Sequence, residues 1–272
     1  MKTSRILSII ALAASVVMFA SPAGAVTNGR PDNGRHPYVG LAVFDAPNPE
    51  TGKVEPAWRC SGTLLSSTVF LTAGHCTDGA VAVRVWFDEN VQTNPEYPLG
   101  GATSTEGVPY TYPEFCIGCS GGLPGFDRGD VGVVVLTETP PVAQYGSLPP
   151  EGLVDTLTRG APVDIVGYGV QTQLRGGGQP VWTGQRIRLW APARLVAINF
   201  VHSDEFIRLS ANPALGKGGT CFGDSGGPDL NGGTDTVLAV NSYVTNNNCT
   251  GVTYSQRVDL PDVLSWIEGF LS

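Results

Sequence analysis

The sequence predicts an all-β protein that ends in a single α-helix. Three observations carry this prediction. Short apolar runs rich in Val, Leu and Thr recur along the chain: "TVFLTAG" (68–74), "AVRVWF" (82–87), "DVGVVVL" (130–136), "VDIVGYG" (163–169) and "TVLAVNSYV" (236–244). Runs of this length and composition read as strands. Gly, Pro and Asn clusters separate them, in a chain with 36 glycines and 21 prolines, and such clusters mark turns. Only the last segment changes period. In "VDLPDVLSWIEGFLS", Leu260, Leu264, Ile267 and Leu271 recur every three or four residues, tracing one face of a helix. Many short strands in one chain point to a sandwich or a pair of barrels.

Residues 1–25 stand apart as a signal peptide. Lys2 and Arg5 supply the positive start, an apolar run from Ile6 to Ala20 is broken only by Ser8 and Ser15, and Ala23-Gly24-Ala25 offers an A-x-A cleavage site. The run is shorter than the roughly 20 apolar residues of a comfortable membrane span, and no later segment competes for that role. Export and release follow: a secreted, extracellular protein with no membrane partner. Cleavage after Ala25 makes Val26 the first residue, whereas cleavage after Ala23 leaves Gly24-Ala25 in front of it.

Loss of Lys2 and Arg5 with the leader takes the formal charge from -8 to -10. A chain this acidic, with only Lys53 and Lys217 as remaining lysines, repels phosphate backbones, which argues against nucleic-acid binding. Six cysteines in an oxidising compartment suggest three disulfides, although six allow fifteen connectivities. "TETPPVAQYGSLPPEG" (137–152), with four prolines, is the best linker and divides the secreted portion roughly in half.

The sharpest chemical signal is "CFGDSGGPDL" (221–230), in which Ser225 lies on a glycine-rich backbone that can bend tightly and admit a substrate. Gly223 to Gly227 also satisfies G-x-S-x-G, but an α/β-hydrolase needs its acid and histidine after the serine. The three histidines, His36, His75 and His202, all precede Ser225. A subtilisin-type enzyme needs yet another chain order and an α/β body. "LTAGHCTDG" places His75 after an apolar run, and "DRGDVGVVVL" places Asp130 at the head of another, with Asp127 the weaker alternative. The order His75, Asp130, Ser225 suits nucleophilic catalysis, since a serine hydroxyl needs a nearby base and imidazole titrates near neutrality.

"SGTLLSSTVFLTAGHC", "GDVGVVVL", "IVGYG" and "GDSGGP" occur in this order, and together they resemble the signature blocks of the trypsin/chymotrypsin-type serine proteases. The resemblance implies two six-stranded antiparallel β-barrels packed together with a C-terminal α-helix. The protease domain would span 26–272, its N-terminal barrel about 26–138 and its C-terminal barrel and helix about 139–272. His75, Asp130 and Ser225 would be the catalytic triad. The N–H groups of Gly223 and Ser225 would form the oxyanion hole, worth on the order of 3 kcal/mol per donor. "VTNG" (26–29) matches the family's processed start, so the Val26 α-ammonium would pair with Asp224, and signal peptidase itself would create the activating terminus. The implied activity is that of a monomeric endopeptidase without cofactor or metal, acting on protein or peptide substrates and open to proteinaceous inhibitors. A catalytically impaired homologue acting as a binding module is the alternative, but every triad residue and Gly223 are present.

The resemblance further implies bridges Cys60–Cys76 and Cys221–Cys249. Cys116 and Cys119, in "EFCIGCSGG", depart from the family pattern and read as a small local disulfide, since neither a βαβ neighbourhood nor further zinc ligands accompany them. His36 and His202 have no metal-ligand spacing and read as structural or solvated. "NCT" (248–250) matches a glycosylation sequon. For the primary pocket the resemblance places Gly219 at the base and Ser242, Tyr243 and Val244 along the wall. Glycine cannot attract Lys or Arg there, Lys217 reads as a solvated loop lysine, and Val244 would narrow the slot. The implied preference is for small or medium apolar residues before the scissile bond.

Overall fold

The computed structural model describes residues 26–119, 128–174, 181–198, 204–211, 218–244, 249 and 251–271. The leader, Asp127, His202, Lys217 and the sequon residues Asn248 and Thr250 lie outside them. Strand β1 (Arg30–Pro31) is followed by β2 (Val39–Pro47), β3 (Val54–Leu64), β4 (Val69–Thr72), the helical turn α1 (Gly74–Thr77), β5 (Ala82–Trp86), β6 (Ser104–Thr111) and β7 (Gly132–Leu136). Strands β2-β3-β4-β7-β6-β5 close into a six-stranded antiparallel barrel.

The second half supplies β8 (Pro162–Gly167), the hairpin β9 (Thr172–Leu174) and β10 (Val181–Thr183), β11 (Leu189–Ala197), β12 (Phe206–Ala211), β13 (Pro228–Asn231), β14 (Val237–Val244), β15 (Gly251–Arg257) and helix α2 (Pro261–Glu268). Strands β11-β12-β15-β14-β13-β8 form the second six-stranded sheet, and the β8–β11 pairing closes it. β1 adds to the outside of β11. The expected two-barrel fold with a C-terminal helix is therefore present.

Period-two patterning builds these walls. In β11, Leu189, Ala191, Ala193 and Leu195 are buried while Trp190, Pro192 and Arg194 turn outward. The first barrel encloses Leu41, Phe44, Phe70, Leu71 and Trp86, each worth roughly 1.5–3 kcal/mol in burial. Helix α2 closes the chain back onto the first barrel: Ile267 joins that core, and Trp266 meets the Tyr112 ring edge-on at 5.3 Å. Leu271, at the end of the predicted helical face, lies beyond the helix and is exposed.

A buried polar knot also ties the barrels. Arg188 donates from Nε to Asp32 (2.9 Å) and from Nη1 to the carbonyls of Val39 and Phe87 and the hydroxyl of Tyr168. His36 completes it, with Nδ1 2.5 Å from Asp32 Oδ1, so this histidine is structural. Burial alone would raise the Asp32 carboxyl, but bonds from His36 and the charge of Arg188 hold it below its ordinary value.

Candidate active site

The two barrels meet at a cleft to which each contributes part of one cluster. His75 sits on α1, directly after β4, and Asp130 lies two residues before β7. β4 and β7 pair through Thr72 and Gly132, which brings the two side chains together from 55 positions apart. Asp130 Oδ2 lies 2.9 Å from His75 Nδ1, and Oδ1 accepts the His75 backbone N–H at 2.8 Å. Asp130 is fully buried, whereas the His75 side chain is 28% exposed.

The second barrel reaches across to complete the surroundings of Asp130. Ser242 on β14 donates its hydroxyl to Oδ2, and Gln256 Oε1 on β15 accepts the Asp130 backbone N–H at 3.1 Å. Burial opposes the charge on Asp130, but the His75 ring, its backbone N–H and Ser242 outweigh it, so the carboxyl is held below its ordinary range and stays ionised.

Ser225 comes from the loop before β13. Its carbonyl accepts the N–H of Ser61 at 2.8 Å, and the Ser61 hydroxyl donates to the Gly223 carbonyl at 2.9 Å, pinning the loop to β3. The turn demands its glycines: Gly223 has φ +95°, and at Gly226 (φ +75°) a Cβ would sit 2.0 Å from Thr72 Oγ1. Among the described residues, the backbone N–H groups of Gly223 and Ser225 have no acceptor. Unsatisfied donors at a glycine-rich turn are available to an anionic oxygen.

Asp224 points the opposite way. It is fully buried and accepts backbone N–H groups of Gly169 (2.8 Å) and Cys221 (2.9 Å), with the Val26 N–H close enough to favour its charge. Val26 is itself buried, at φ 55°, and Thr27 pairs with Gly219 through bonds of 2.9 and 3.2 Å. Burial pushes the Asp224 carboxyl up to about 7, with Gly169, Cys221, Arg59 and Val26 pulling it back.

Disulfides join Cys60 to Cys76, Cys116 to Cys119 and Cys221 to Cys249. Cys60, His75 and Cys76 bring potential metal-ligand atoms within 4.8 Å of one another, but the two sulfurs are bonded to each other, which leaves one imidazole. Beside Ser225 lies a cavity of about 170 Å³ whose wall includes Ser242, Tyr243 and Val244. Gly219 does not line it, being paired with Thr27. Thr220, Phe222 and Asn241 do, and sequence reasoning missed them. An asparagine inside the apolar run "TVLAVNSYV" was the available signal.

The Trypsin family model matches residues 49–267. The chain belongs to the trypsin family. Collagenase from Hypoderma lineatum is 26% identical over 255 residues, 90% of each chain. Serine protease 1 of Drosophila melanogaster is 33% identical over 75 residues, so the match spans only a quarter of that relative and 27% of this chain. Among solved structures, a collagenase structure aligns at TM-score 0.67 with 19% identity, covering 90% of this chain and 97% of that one. Human heparin binding protein aligns at 0.60 with 17% identity, covering 90% and 96%. These neighbours share the two-barrel fold with this trypsin-family chain. No helix among the described residues is long and apolar enough to cross a membrane.

Proposed function

We propose that this trypsin-family chain is a secreted, monomeric serine endopeptidase that cleaves protein or peptide substrates through an acyl-enzyme. The observation that carries the reading is the pairing of two unengaged N–H donors, on Gly223 and Ser225, with the His75–Asp130 couple across the same cleft.

Ser225 Oγ attacks the scissile carbonyl carbon while His75 Nε2 takes its proton, and the oxyanion that forms is held by the N–H groups of Gly223 and Ser225. His75 then passes the proton to the leaving amine, the C–N bond breaks, and an ester to Ser225 remains. Water, deprotonated by His75, hydrolyses that ester. Asp130 keeps the imidazole in the tautomer that bears its proton on Nδ1 and stabilises the imidazolium. The 170 Å³ cavity beside Ser225 takes the side chain before the scissile bond; Val244 restricts it to small or medium apolar groups.

Activation follows from the same geometry. Removal of residues 1–25 turns the buried Val26 nitrogen, which lies near Asp224, into an ammonium facing a carboxylate. A buried charge of either sign needs its partner, so the new terminus locks the loop that carries Ser225.

A fluorophosphonate or sulfonyl fluoride tests the whole reading. Covalent label on Ser225, absent from Ser225→Ala, is expected; an unlabelled Ser225 in the processed protein would remove the basis for the proposal.

A further inference from the structure

A second cavity, of about 570 Å³, lies between Trp58 and Arg59 of β3, Gln92, Tyr97 and Arg186. It shares no residue with the cavity beside Ser225 and has no acidic residue in its lining, although the chain as a whole carries -8. Its two cations are poorly compensated. Arg59 pairs with Val43 through its backbone, and its guanidinium, with no side-chain hydrogen bond or ion pair among the described residues, acts by its charge on the buried Asp224. Arg186 donates from Nη1 (2.8 Å) and from its backbone N–H (3.4 Å) to the Gln92 amide oxygen Oε1 and lies 4.6 Å over the Tyr97 ring, while its buried Nε has no partner among the described residues. A buried donor left unmade is costly, and a planar guanidinium suits a carboxylate.

The cavity is joined directly to the catalytic loop. Arg59 Nε lies 3.4 Å from where a Cβ on Gly223 would sit. Two residues further along β3, Ser61 holds the carbonyls of Ser225 and Gly223. Second-barrel residues wall the cavity that takes the acyl-side residue; first-barrel residues wall most of this one. A peptide crossing Ser225 from the former therefore runs out along β3 toward the latter. Two strand residues span roughly 7 Å, the reach of the second residue beyond the scissile bond.

We propose that this arginine-lined cavity is a subsite for an acidic side chain, Asp or Glu, at the second or third residue after the scissile bond. The assignment rests on the endopeptidase reading. Glutamate or aspartate brings a carboxylate into direct contact with Arg59 and Arg186, which have no ion-pair partner within 4 Å among the described residues, and a lysine there meets two like charges.

Fluorescence-quenched peptides with one acyl-side sequence and Glu, Ala or Lys at those positions test this, with kcat/KM as the readout. Wild type should prefer Glu over Lys by about tenfold or more, and the preference should shrink as salt rises and screens the pair. Each variant is scored by its own Glu/Ala ratio, so a loss common to both peptides cancels. Arg59→Gln and Arg186→Gln should bring that ratio toward one, and Arg186→Glu should shift preference toward Lys. Equal rates for the wild type, a preference indifferent to salt, or a ratio unchanged in both Gln variants overturns the subsite. Sulfonyl fluoride has no leaving-group residues, so label on Ser225 together with equal peptide rates rejects the subsite alone. No label rejects the endopeptidase reading and the subsite with it.

Discussion

Ser242, on a strand of the second barrel, donates its hydroxyl to the Asp130 carboxylate in the first. The carboxylate that orients His75 is thus held in part by the other half of the molecule. Ser242→Ala removes one of the two hydrogen bonds to Asp130 Oδ2 and leaves His75 as its remaining donor, at a cost of about 1.5–3 kcal/mol for a bond to a charged group. The Asp130 pKa lies below its ordinary value, so the stability its charge contributes is present above the unfolded carboxylate pKa and is lost as pH falls through the depressed value. Loss of the Ser242 bond raises the Asp130 carboxyl, so the acid-unfolding midpoint of Ser242→Ala should lie at higher pH than that of wild type. Asp130→Asn should cost about 10⁴-fold in kcat, the figure known for the trypsin triad.

The Val26–Asp224 contact predicts an alkaline limb. A free α-amine has a reference pKa of about 7.7–8.0, and a facing carboxylate raises it. The activity that depends on the ammonium is present below that reference value and lost as pH rises through the raised one. Intact mass should show a secreted product beginning at Val26. Blocking that amine by acetylation, or Asp224→Asn, should lower kcat/KM by about 100-fold, a loss equivalent to roughly 2.7 kcal/mol. A fully active product that begins at Gly24 would refute the requirement for pairing.

Asp229 places a carboxyl group in the interior of the second barrel. It is fully buried on β13, its oxygens lack a well-formed hydrogen bond, and burial pushes its carboxyl up to about 8, eased by the nearby Ser255 hydroxyl and worsened by Asp224. The native state keeps this proton where the unfolded chain has released it, so stability falls as pH rises from about 4 to 8. Asp229→Asn removes the titration. Its melting temperature should gain on wild type between pH 5 and 8.5, by on the order of a few kcal/mol in stability. Parallel pH profiles would show that Asp229 does not keep its proton.

Arg188 predicts a different loss. It pairs with the fully buried Asp32 and bonds carbonyls of the first barrel, so Arg188→Ala strands a buried charge and should cost about 3–5 kcal/mol. Asp32 titrates below its ordinary value; its stabilisation is present above the unfolded carboxylate pKa and lost as pH falls through the depressed one. Urea melts of Arg188→Ala and of the double variant Arg188→Met/Asp32→Asn should separate the two costs, with the double variant the more stable.

Val244→Gly should widen the cavity beside Ser225. Relative to wild type, kcat/KM for a Phe substrate should rise about tenfold over that for an Ala substrate. An unchanged ratio would place the restriction elsewhere, with Asn241 and Thr220 the next walls to test.

Much of the fold was legible in the chain because its code is local. Short apolar runs such as "AVRVWF" (82–87) and "DVGVVVL" (130–136) and the helical spacing of Leu264 and Ile267 need no knowledge of partners. Ser225, His75 and Asp130 could be named as candidates because each lies within a short, chemically marked block. What surrounds them could not be read in this way. Ser242 and Gln256 meet Asp130 across 112 and 126 positions, Asn241 rather than Gly219 lines the cavity beside Ser225, and Arg59 stands beside Gly223. Those neighbours follow from how two closed barrels present their loops to a shared cleft, and strand periodicity does not specify which loops meet. The sequence by itself determined the strands, the helix and the reactive residue types. Only the tertiary structure decided which charges, donors and cavities those residues face, because burial and long-range pairing set them.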